Sequence, residues 1–297
     1  MEWDALKLDF KRYLLLERGL SQNSILAYLN DVQKLQDYLI YVNLPLNQVT
    51  SKSLQDFLSW IQQFAISPFS QARILSGLKT FFQFLQIEQQ WANNPAELLE
   101  SPRLARKIPS VLSIVEIDQL IAAIDLSTLE GMRNKAILEI LYGCGLRVSE
   151  LTNLKISNLH LDVEFIKVEG KGNKERLIPI GQQAIKYLNL YIKDVRIHQP
   201  IQNGQEDYVF LNRRGKPLSR VMIFLIIKDL ASKINLQKEI SPHTFRHSFA
   251  SHLVEGGADL RAVQDMLGHE SISTTEIYTH IDKEYLQSII TQYHPRS

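Results

Sequence analysis

The sequence predicts a mainly α-helical protein with one small β-hairpin, divided into an N-terminal helical bundle and a C-terminal α+β domain. Apolar residues recur at helical spacing through most of the 297 residues, as at Ile25, Leu29 and Val32. Two short runs, VEFIKV and ERLIPI, instead have the composition of strands and flank the turn GKGNK, which is typical of a hairpin.

The first hundred residues predict four or five helices. One apolar stripe runs from Ile25 to Leu39 behind Ser21, a suitable N-cap, and another runs from Ile74 to Leu85. Proline-containing turns separate the helices at Pro45, Ser67-Pro68 and Asn94-Pro95. Both stripes are better explained by core packing than by a binding surface.

A basic stretch with two prolines, SPRLARKIP, predicts a linker at about 99–107. It ends a first domain, 1–107, and precedes a second domain, 108–297. Ser113 and Glu116 then form a capping box at the start of a helix. After the hairpin we expect helices at about 181–198, 219–234, 242–256, 259–267, 273–280 and 283–292.

Composition narrows the functional classes. The single cysteine, Cys144, excludes an internal disulfide and a Cys-rich zinc module, and it suits a reducing cytosol. The first residues mix charged and apolar side chains, and the longest strongly apolar run, VMIFLII, is far too short to span a bilayer. We therefore expect a cytoplasmic protein without a membrane partner. A net charge of +1 does not point to nucleic acid, but a basic face would be enough to bind it.

Five of the eight histidines lie within residues 243–280. His243 and His247 have the spacing of a zinc site, but Thr244 stands where the metalloprotease pattern has an acidic residue. His252 lies about 180° around the same helix. Arg246 shares a face with His243 and favours a phosphate, because a guanidinium binds phosphate through parallel hydrogen bonds and is repelled by a metal ion. A polar surface helix is the alternative.

Two further stretches carry basic residues that could meet an anion. In GCGLRVSEL a helix is expected to start near Arg147, where free N–H groups favour an anion and Glu150 could steady the arginine. An ordinary surface ion pair is the alternative. Lys171 and Lys174 lie in the hairpin turn, from which either could reach a substrate, although basic turns also serve solubility. The chain lacks the Walker pattern, which argues against nucleotide hydrolysis.

Four motifs in order, GCGLRVSEL, EGKGNKERLIPI, HTFRHSFASHL and MLGHESISTTEIYTHI, resemble those of the tyrosine recombinases, and most closely the Xer type of bacterial chromosome recombinase. The likeness spans nearly the whole chain, because GLSQNSILAYLNDVQKL resembles the family's core-DNA-binding domain. It implies that domains 1–107 and 108–297 form a clamp around DNA. It also implies that a helix at about 283–293 docks on a neighbouring subunit, whereas its apolar face alone is equally compatible with folding back onto its own domain.

The resemblance implies six catalytic residues: Arg147, Lys171, His243, Arg246, His269 and Tyr278. The two arginines would hold the scissile phosphate, the tyrosine would attack it, and the lysine would protonate the leaving 5′-oxygen. The histidines would assist proton transfer and hydrogen-bond the phosphate. Spacing alone does not choose between the two lysines of the turn. The basic residues expected to contact DNA are Arg73, Lys79, Arg103, Arg106, Lys107, Lys174, Arg213, Arg214 and Arg220. No cofactor and no metal are implied.

The implied reaction cuts and rejoins double-stranded DNA at a recombination site through a 3′-phosphotyrosyl intermediate and a Holliday junction. Its implied setting is a tetramer on two DNA sites, formed with itself or with a paralogous recombinase, that resolves chromosome dimers before cell division. A cell-division DNA translocase is a further candidate partner. The alternatives are a mobile-element integrase, a nicking enzyme like the type IB topoisomerases, a DNA-binding protein without catalysis, and a metal-dependent hydrolase.

Overall fold

The structure is a computed structural model that describes residues 3–102, 110–170, 175–268 and 280–297. The chain divides into two compact units, an N-terminal unit of Met1–Lys107 and a C-terminal unit of Ile108–Ser297. The predicted fold class, mainly helical with a small sheet, is confirmed. A bilayer-spanning helix would need about 20 predominantly apolar residues, and the described parts of the chain contain no helix that meets this requirement.

Four α-helices build the described part of the N-terminal unit. They are α1 (Trp3–Leu16), α2 (Gln22–Tyr41), α3 (Ser51–Gln62) and α4 (Pro68–Glu88). Ser21, Thr50 and Ser67 each accept a hydrogen bond from a backbone N–H of the first turn, so hydroxyl caps begin three of the four helices. The predicted turns at Pro45 and Ser67-Pro68 lie between these helices, and the one at Asn94-Pro95 follows α4.

Aromatic side chains dominate the core of the N-terminal unit. The predicted apolar stripe of α4 is buried, and that of α2 is buried except at Leu29, which is partly buried against the same core. Phe10 of α1 meets Phe81 of α4 edge to face, with ring centroids 5.1 Å apart, a favoured aromatic geometry. The stripes therefore serve core packing, as expected.

The C-terminal unit contains eight helices and three strands in its described part. The helices are α5 (Ile114–Ala122), α6 (Leu129–Gly143), α7 (Val148–Thr152), α8 (Gln182–Leu190), α9 (Arg220–Lys233), α10 (Pro242–Gly256), α11 (Leu260–Leu267) and α12 (His280–Tyr293). The strands are β1 (Leu159–His160), β2 (Phe165–Glu169) and β3 (Glu175–Pro179). Helix α6 is buried along most of its length and forms the centre of this unit.

The predicted hairpin is present as β2 and β3. These strands pair antiparallel, with Phe165 opposite Pro179 and Glu169 opposite Glu175. Strand β1 pairs with β2 and completes a three-stranded sheet. It was not predicted, because two residues are too few to show an alternating pattern.

One predicted helix, at residues 181–198, is not a single α-helix in the structure. Residues 181–198 were expected to form a single helix, but α8 ends at Leu190 and is followed by a π-helical turn at Tyr191–Val195 and a 3-10 turn at Arg196–His198. The wider turn accompanies the burial of Tyr191, whose ring stacks on Phe210 and whose hydroxyl accepts a hydrogen bond from the Leu211 backbone N–H. The helix predicted at about 273–280 falls almost wholly outside the described residues.

Helix α12 lies on its own unit. Leu286, Ile289 and Ile290 are only 4%, 2% and 2% exposed and belong to the core of the C-terminal unit. The residues after the helix continue this contact, since Arg296 pairs with the carboxylates of Glu139 and Asp118. The resemblance implies that the apolar face of α12 docks on a neighbouring subunit. In this structure that face instead packs against the core of its own unit.

His294, which follows α12, is strongly perturbed by burial. Its ring is buried between those of Tyr142 and Phe249, and burial lowers its pKa from 6.5 to about 3. Between these two pH values the unfolded chain binds a proton that the folded chain does not, so stability is full above pH 6.5 and falls as the pH drops.

We expect His294→Phe to remove this acid sensitivity. From pH 7 to pH 5 the wild-type protein should lose about 2 kcal/mol more unfolding free energy than the variant, because each pKa unit corresponds to about 1.4 kcal/mol. Urea unfolding of both proteins at the two pH values measures the difference. An identical pH dependence in the two proteins would contradict the assignment.

Candidate active site

Arg147 lies at the start of α7, where it was predicted. It is the N-cap residue of that helix, and its backbone N–H and Nη1 both donate to the Glu150 carboxylate, at 2.7 and 2.8 Å. Its Nη2 donates to the carbonyl of Gly268 at 2.9 Å. The side chain is 34% exposed. Because the Glu150 carboxylate already caps this five-residue helix, the anion-binding capacity here resides in the guanidinium rather than in the helix end.

Arg246 lies on α10 and is almost fully buried, with a side chain that is 10% exposed. Its Nη1 donates to the carbonyl of Gly145 at 2.8 Å, and its Nη2 donates to the carbonyl of Leu267. The Glu150 carboxylate is 3.9 Å from Nη1. The same carboxylate therefore lies beside both arginines that were predicted to bind one phosphate.

A third arginine, Arg176 on β3, completes this group. Its Nη1 and Nη2 donate to the two oxygens of Glu150 at 2.8 and 2.9 Å, and its Nε donates to the carbonyl of Met266 at 2.9 Å. The sequence interpretation missed Arg176. A signal was present, because Arg176 shares the inward-facing register of β3 with Ile178, where an unpaired charge would be unfavourable.

The end of α11 holds all three guanidinium groups. The consecutive carbonyls of Met266, Leu267 and Gly268 accept hydrogen bonds from Arg176, Arg246 and Arg147 respectively. These carbonyls have no partner within the helix and carry the negative end of its dipole. The helix end and the Glu150 carboxylate together fix three positive charges in one place.

The electrostatics of this group favour a bound anion. Although burial opposes it, hydrogen bonds and charge from Arg176 and Arg147 hold the pKa of Glu150 below its usual value. The pKa of Arg246 falls to about 10, chiefly through burial and then through the positive charge of Arg147. Three cations thus face one anion. Contacts within the described residues use two N–H groups on each of Arg147 and Arg246, which leaves donors for a phosphate.

The histidines of α10 divide into two groups. His243 and His247 are solvent-exposed on the side of Arg246, and the pKa of His243 is lowered by partial desolvation of its ring and by the nearby charges of His247, Arg246 and Arg147. His252 points into the core, where its Nδ1 is 2.7 Å from the hydroxyl of Tyr142. Among the described residues, no three His, Cys, Asp or Glu side chains are arranged to hold a metal ion.

The DNA-binding candidates have different surroundings. Arg213, Arg214 and Arg220 are exposed around the start of α9. Lys79 donates to the carbonyl of Glu97. Arg73 is joined through both Nη atoms to the fully buried carboxylate of Asp31, so this arginine has a structural partner that the sequence interpretation did not foresee.

Seven predicted site residues lie outside the described residues. They are Arg103, Arg106, Lys107, Lys171, Lys174, His269 and Tyr278. Of the six catalytic candidates, the structure therefore describes Arg147, His243 and Arg246, and it brings these three together.

Comparison with known proteins gives a consistent result over the whole chain. Residues 110–285 match the phage integrase family, and residues 8–89 match the phage integrase N-terminal SAM-like domain. The tyrosine recombinase XerD of Staphylococcus aureus is 42% identical over 290 residues, which are 97% of this chain and 98% of that protein. The crystal structure of XerA recombinase is 31% identical, covers 99% of this chain and 100% of its own, and superposes with a TM-score of 0.50.

The fold is also similar to that of a recombinase seen on DNA. The crystal structure of XerH site-specific recombinase bound to palindromic difH substrate, in a post-cleavage complex, is 23% identical. It covers 95% of this chain and 83% of its own, with a TM-score of 0.71.

Proposed function

We propose that this chain, which belongs to the phage integrase family of tyrosine recombinases, cuts and rejoins DNA at a specific site through a 3′-phosphotyrosyl intermediate and a Holliday junction. It is a site-specific DNA recombinase with a tyrosine nucleophile. The observation that carries the proposed mechanism is the pair Arg147 and Arg246, fixed beside one carboxylate with donors still free for a phosphate.

In the proposed reaction the hydroxyl of Tyr278 attacks the phosphorus of the scissile phosphodiester. The Tyr278 oxygen–phosphorus bond forms while a histidine takes the hydroxyl proton, the bond from phosphorus to the 5′-oxygen breaks, and Lys171 gives its proton to that oxygen. Arg147 and Arg246 stabilise the charge that builds up on the non-bridging oxygens. The phosphotyrosine keeps the energy of the broken bond, so a 5′-hydroxyl of another strand can reverse the step without ATP.

The two histidines have supporting roles in this proposal. His243 lies on the same side of α10 as Arg246, and its lowered pKa keeps the imidazole neutral near pH 7, so it can accept as well as donate a proton. His269 directly follows Gly268 in the sequence, next to the carbonyl that holds Arg147. We assign both to proton transfer and to hydrogen bonds with the phosphate.

DNA backbone contacts form the second part of the proposal. The exposed Arg213, Arg214 and Arg220 would contact phosphates near the start of α9, together with Lys79, Lys174 and the linker residues Arg103, Arg106 and Lys107. We retain Arg73 as a candidate because its side chain is 41% exposed in spite of its pairing with Asp31.

The biological setting is inferred from the relatives. Near full-length identity of 42% to a protein named tyrosine recombinase XerD supports a role in resolving chromosome dimers before cell division, in the cytoplasm. The active form in this proposal is a tetramer on two DNA sites, built with itself or with a paralogue. A DNA translocase of the cell-division machinery would then be its activator.

A nicked suicide substrate tests the reaction. After cleavage such a DNA loses the short strand that would otherwise be rejoined, so the covalent protein–DNA adduct accumulates. We expect the adduct to form in excess chelator at the same rate as without it, because the proposed site uses arginines in place of a metal ion. Free cleaved DNA without adduct, or cleavage that chelator abolishes, would contradict the proposal.

Helix α12 allows a test of subunit docking. Truncation after Lys283 removes three buried side chains from the chain's own core, which should cost about 5–9 kcal/mol at about 1.5–3 kcal/mol each. We therefore expect a large drop in melting temperature together with loss of synapsis. A truncated protein that melts like the wild type but does not synapse would show that α12 lies on a neighbouring subunit in solution.

A further inference from the structure

We propose that Arg176 is a positioning residue for strand cleavage, which occupies the Glu150 carboxylate so that Arg147 and Arg246 stay available to the phosphate. This inference rests on the function proposed above and concerns the same site. Arg176 lies on β3, two residues after the hairpin turn that carries Lys171 and Lys174. It is 8% exposed and is placed to contact neither solvent nor DNA to any large extent.

Within the described residues, partners accept hydrogen bonds from three of the five N–H groups of Arg176. Its guanidinium forms a fork-to-fork pair with both oxygens of Glu150, at 2.8 and 2.9 Å, which is the strongest geometry for these two groups. Its Nε is used by the carbonyl of Met266. Because the side chain is buried and its hydrogen bonds within the described residues are with Glu150 and Met266, we infer that it acts on the phosphate through Glu150 and the end of α11.

The charge of Glu150 explains why such a partner is needed. This buried carboxylate is 2.8 Å from Nη1 of Arg147 and 3.9 Å from Nη1 of Arg246. With Arg176 present, three cations face one carboxylate, and a net charge of about +2 faces the phosphate. Without Arg176, the carboxylate would compete with the phosphate for Arg147 and Arg246, and the net charge would fall to about +1.

Packing also connects Arg176 to the end of α11. Gly268 has φ of +64°, and a Cβ at this position would lie 3.1 Å from Nε and Nη1 of Arg176. Gly268 itself and Leu267 just before it supply the carbonyls that hold Arg147 and Arg246. Arg176 thus links strand β3 to the helix end that immediately precedes His269.

The test measures cleavage by the Arg176→Met variant and by wild type on two DNA substrates. In one, the scissile phosphate is an ordinary phosphodiester; in the other, a methyl group replaces a non-bridging oxygen and removes the negative charge. If Arg176 keeps the two arginines available to that charge, the variant should form the covalent adduct about 100-fold more slowly than wild type on the phosphodiester. On the methylphosphonate we expect a loss of less than about 5-fold, because the developing charge is smaller.

The chain offers a matched control in Arg196. This arginine is also buried in the C-terminal unit, 6% exposed, and its hydrogen bonds within the described residues go to the backbone carbonyls of Glu206, Tyr208 and Val209. Arg196→Met should lower the melting temperature and change the rates on the two substrates by the same factor. It therefore reports what loss of a buried arginine does by destabilisation alone.

A second variant keeps the test decisive. If Arg176→Met does not fold, Arg176→Lys replaces it, because lysine keeps the charge but loses the fork, and the same preference for the uncharged substrate is expected in weaker form.

Equal losses on both substrates, as for Arg196→Met, would overturn the proposal. All rates are ratios to wild type on the same DNA. If wild type itself forms no adduct, the recombinase mechanism fails rather than the role of Arg176, so the two failures are distinguishable.

Discussion

Tyr278→Phe is expected to abolish the covalent protein–DNA adduct while leaving binding to the recombination site intact. The change removes one oxygen, the atom that would attack the phosphorus, and it keeps the aromatic ring. A tyrosine hydroxyl has an ordinary pKa of about 10, so without positive charge nearby it is a poor nucleophile. Gel-shift binding and denaturing electrophoresis of the suicide-substrate reaction measure the two properties separately.

Other tyrosines serve as controls for this assignment. Tyr142 and Tyr191 are buried in the core, and burial raises the pKa of both phenols, which is the opposite of what a nucleophile requires. Tyr285 is 50% exposed on α12 and is the nearest accessible competitor. We expect Tyr285→Phe to form the adduct normally. An adduct that persists in Tyr278→Phe, or that maps to a peptide outside residues 270–283, would overturn the assignment.

Periodicity was sufficient to predict most of the fold. The apolar stripes of α2 and α4 and the hairpin of β2 and β3 follow from local spacing, because helices and strands repeat their buried positions at 3.6 and 2 residues. The π-helical turn at Tyr191–Val195 depends on packing against Phe210, which lies far along the chain. Local pattern contains no information about such a contact.

The sequence predicted the two arginines of the site but not the hydrogen-bond partners that hold them. Arg147 and Arg246 were identified by resemblance and lie together as expected, yet the residues that hold them came only from the structure. The carbonyls of Met266, Leu267 and Gly268 are backbone groups, and any sequence has them. Only the ending of α11 at this point turns them into acceptors for arginine.

The histidine-rich helix illustrates the same limit. His243 and His252 look alike in the sequence, and helical geometry alone separates them into opposite sides of α10. The structure adds that His252 is bound to Tyr142, which makes it a core residue.

The pairing of Arg73 with Asp31 was not predictable for a similar reason. The two residues are 42 positions apart in the sequence, and no local pattern could suggest this contact.

Lys171→Ala is expected to slow cleavage by about 10²–10⁴-fold with almost unchanged DNA binding, because the leaving 5′-oxygen would then depart without a proton. Lys171 lies outside the described residues, and its role is a proposal from resemblance. It stands five residues before Arg176 in the sequence, on the turn between strands β2 and β3. Strand β3, which follows this segment in the sequence, is joined through Arg176 to the carboxylate beside Arg147 and Arg246, and we propose that Lys171 belongs to the same site.

Chemical rescue distinguishes a general acid from a binding residue. A substrate with sulfur in place of the 5′-bridging oxygen has a leaving group that needs no proton, so it should restore most of the rate to Lys171→Ala. Lys174→Ala is the matched control from the same turn. If Lys174 contacts a phosphate, its loss should weaken binding and reduce the salt dependence of log K by about one unit, and sulfur should not rescue it. Absence of sulfur rescue in Lys171→Ala would remove that lysine from the role, and rescue of Lys174→Ala instead would transfer the role to Lys174.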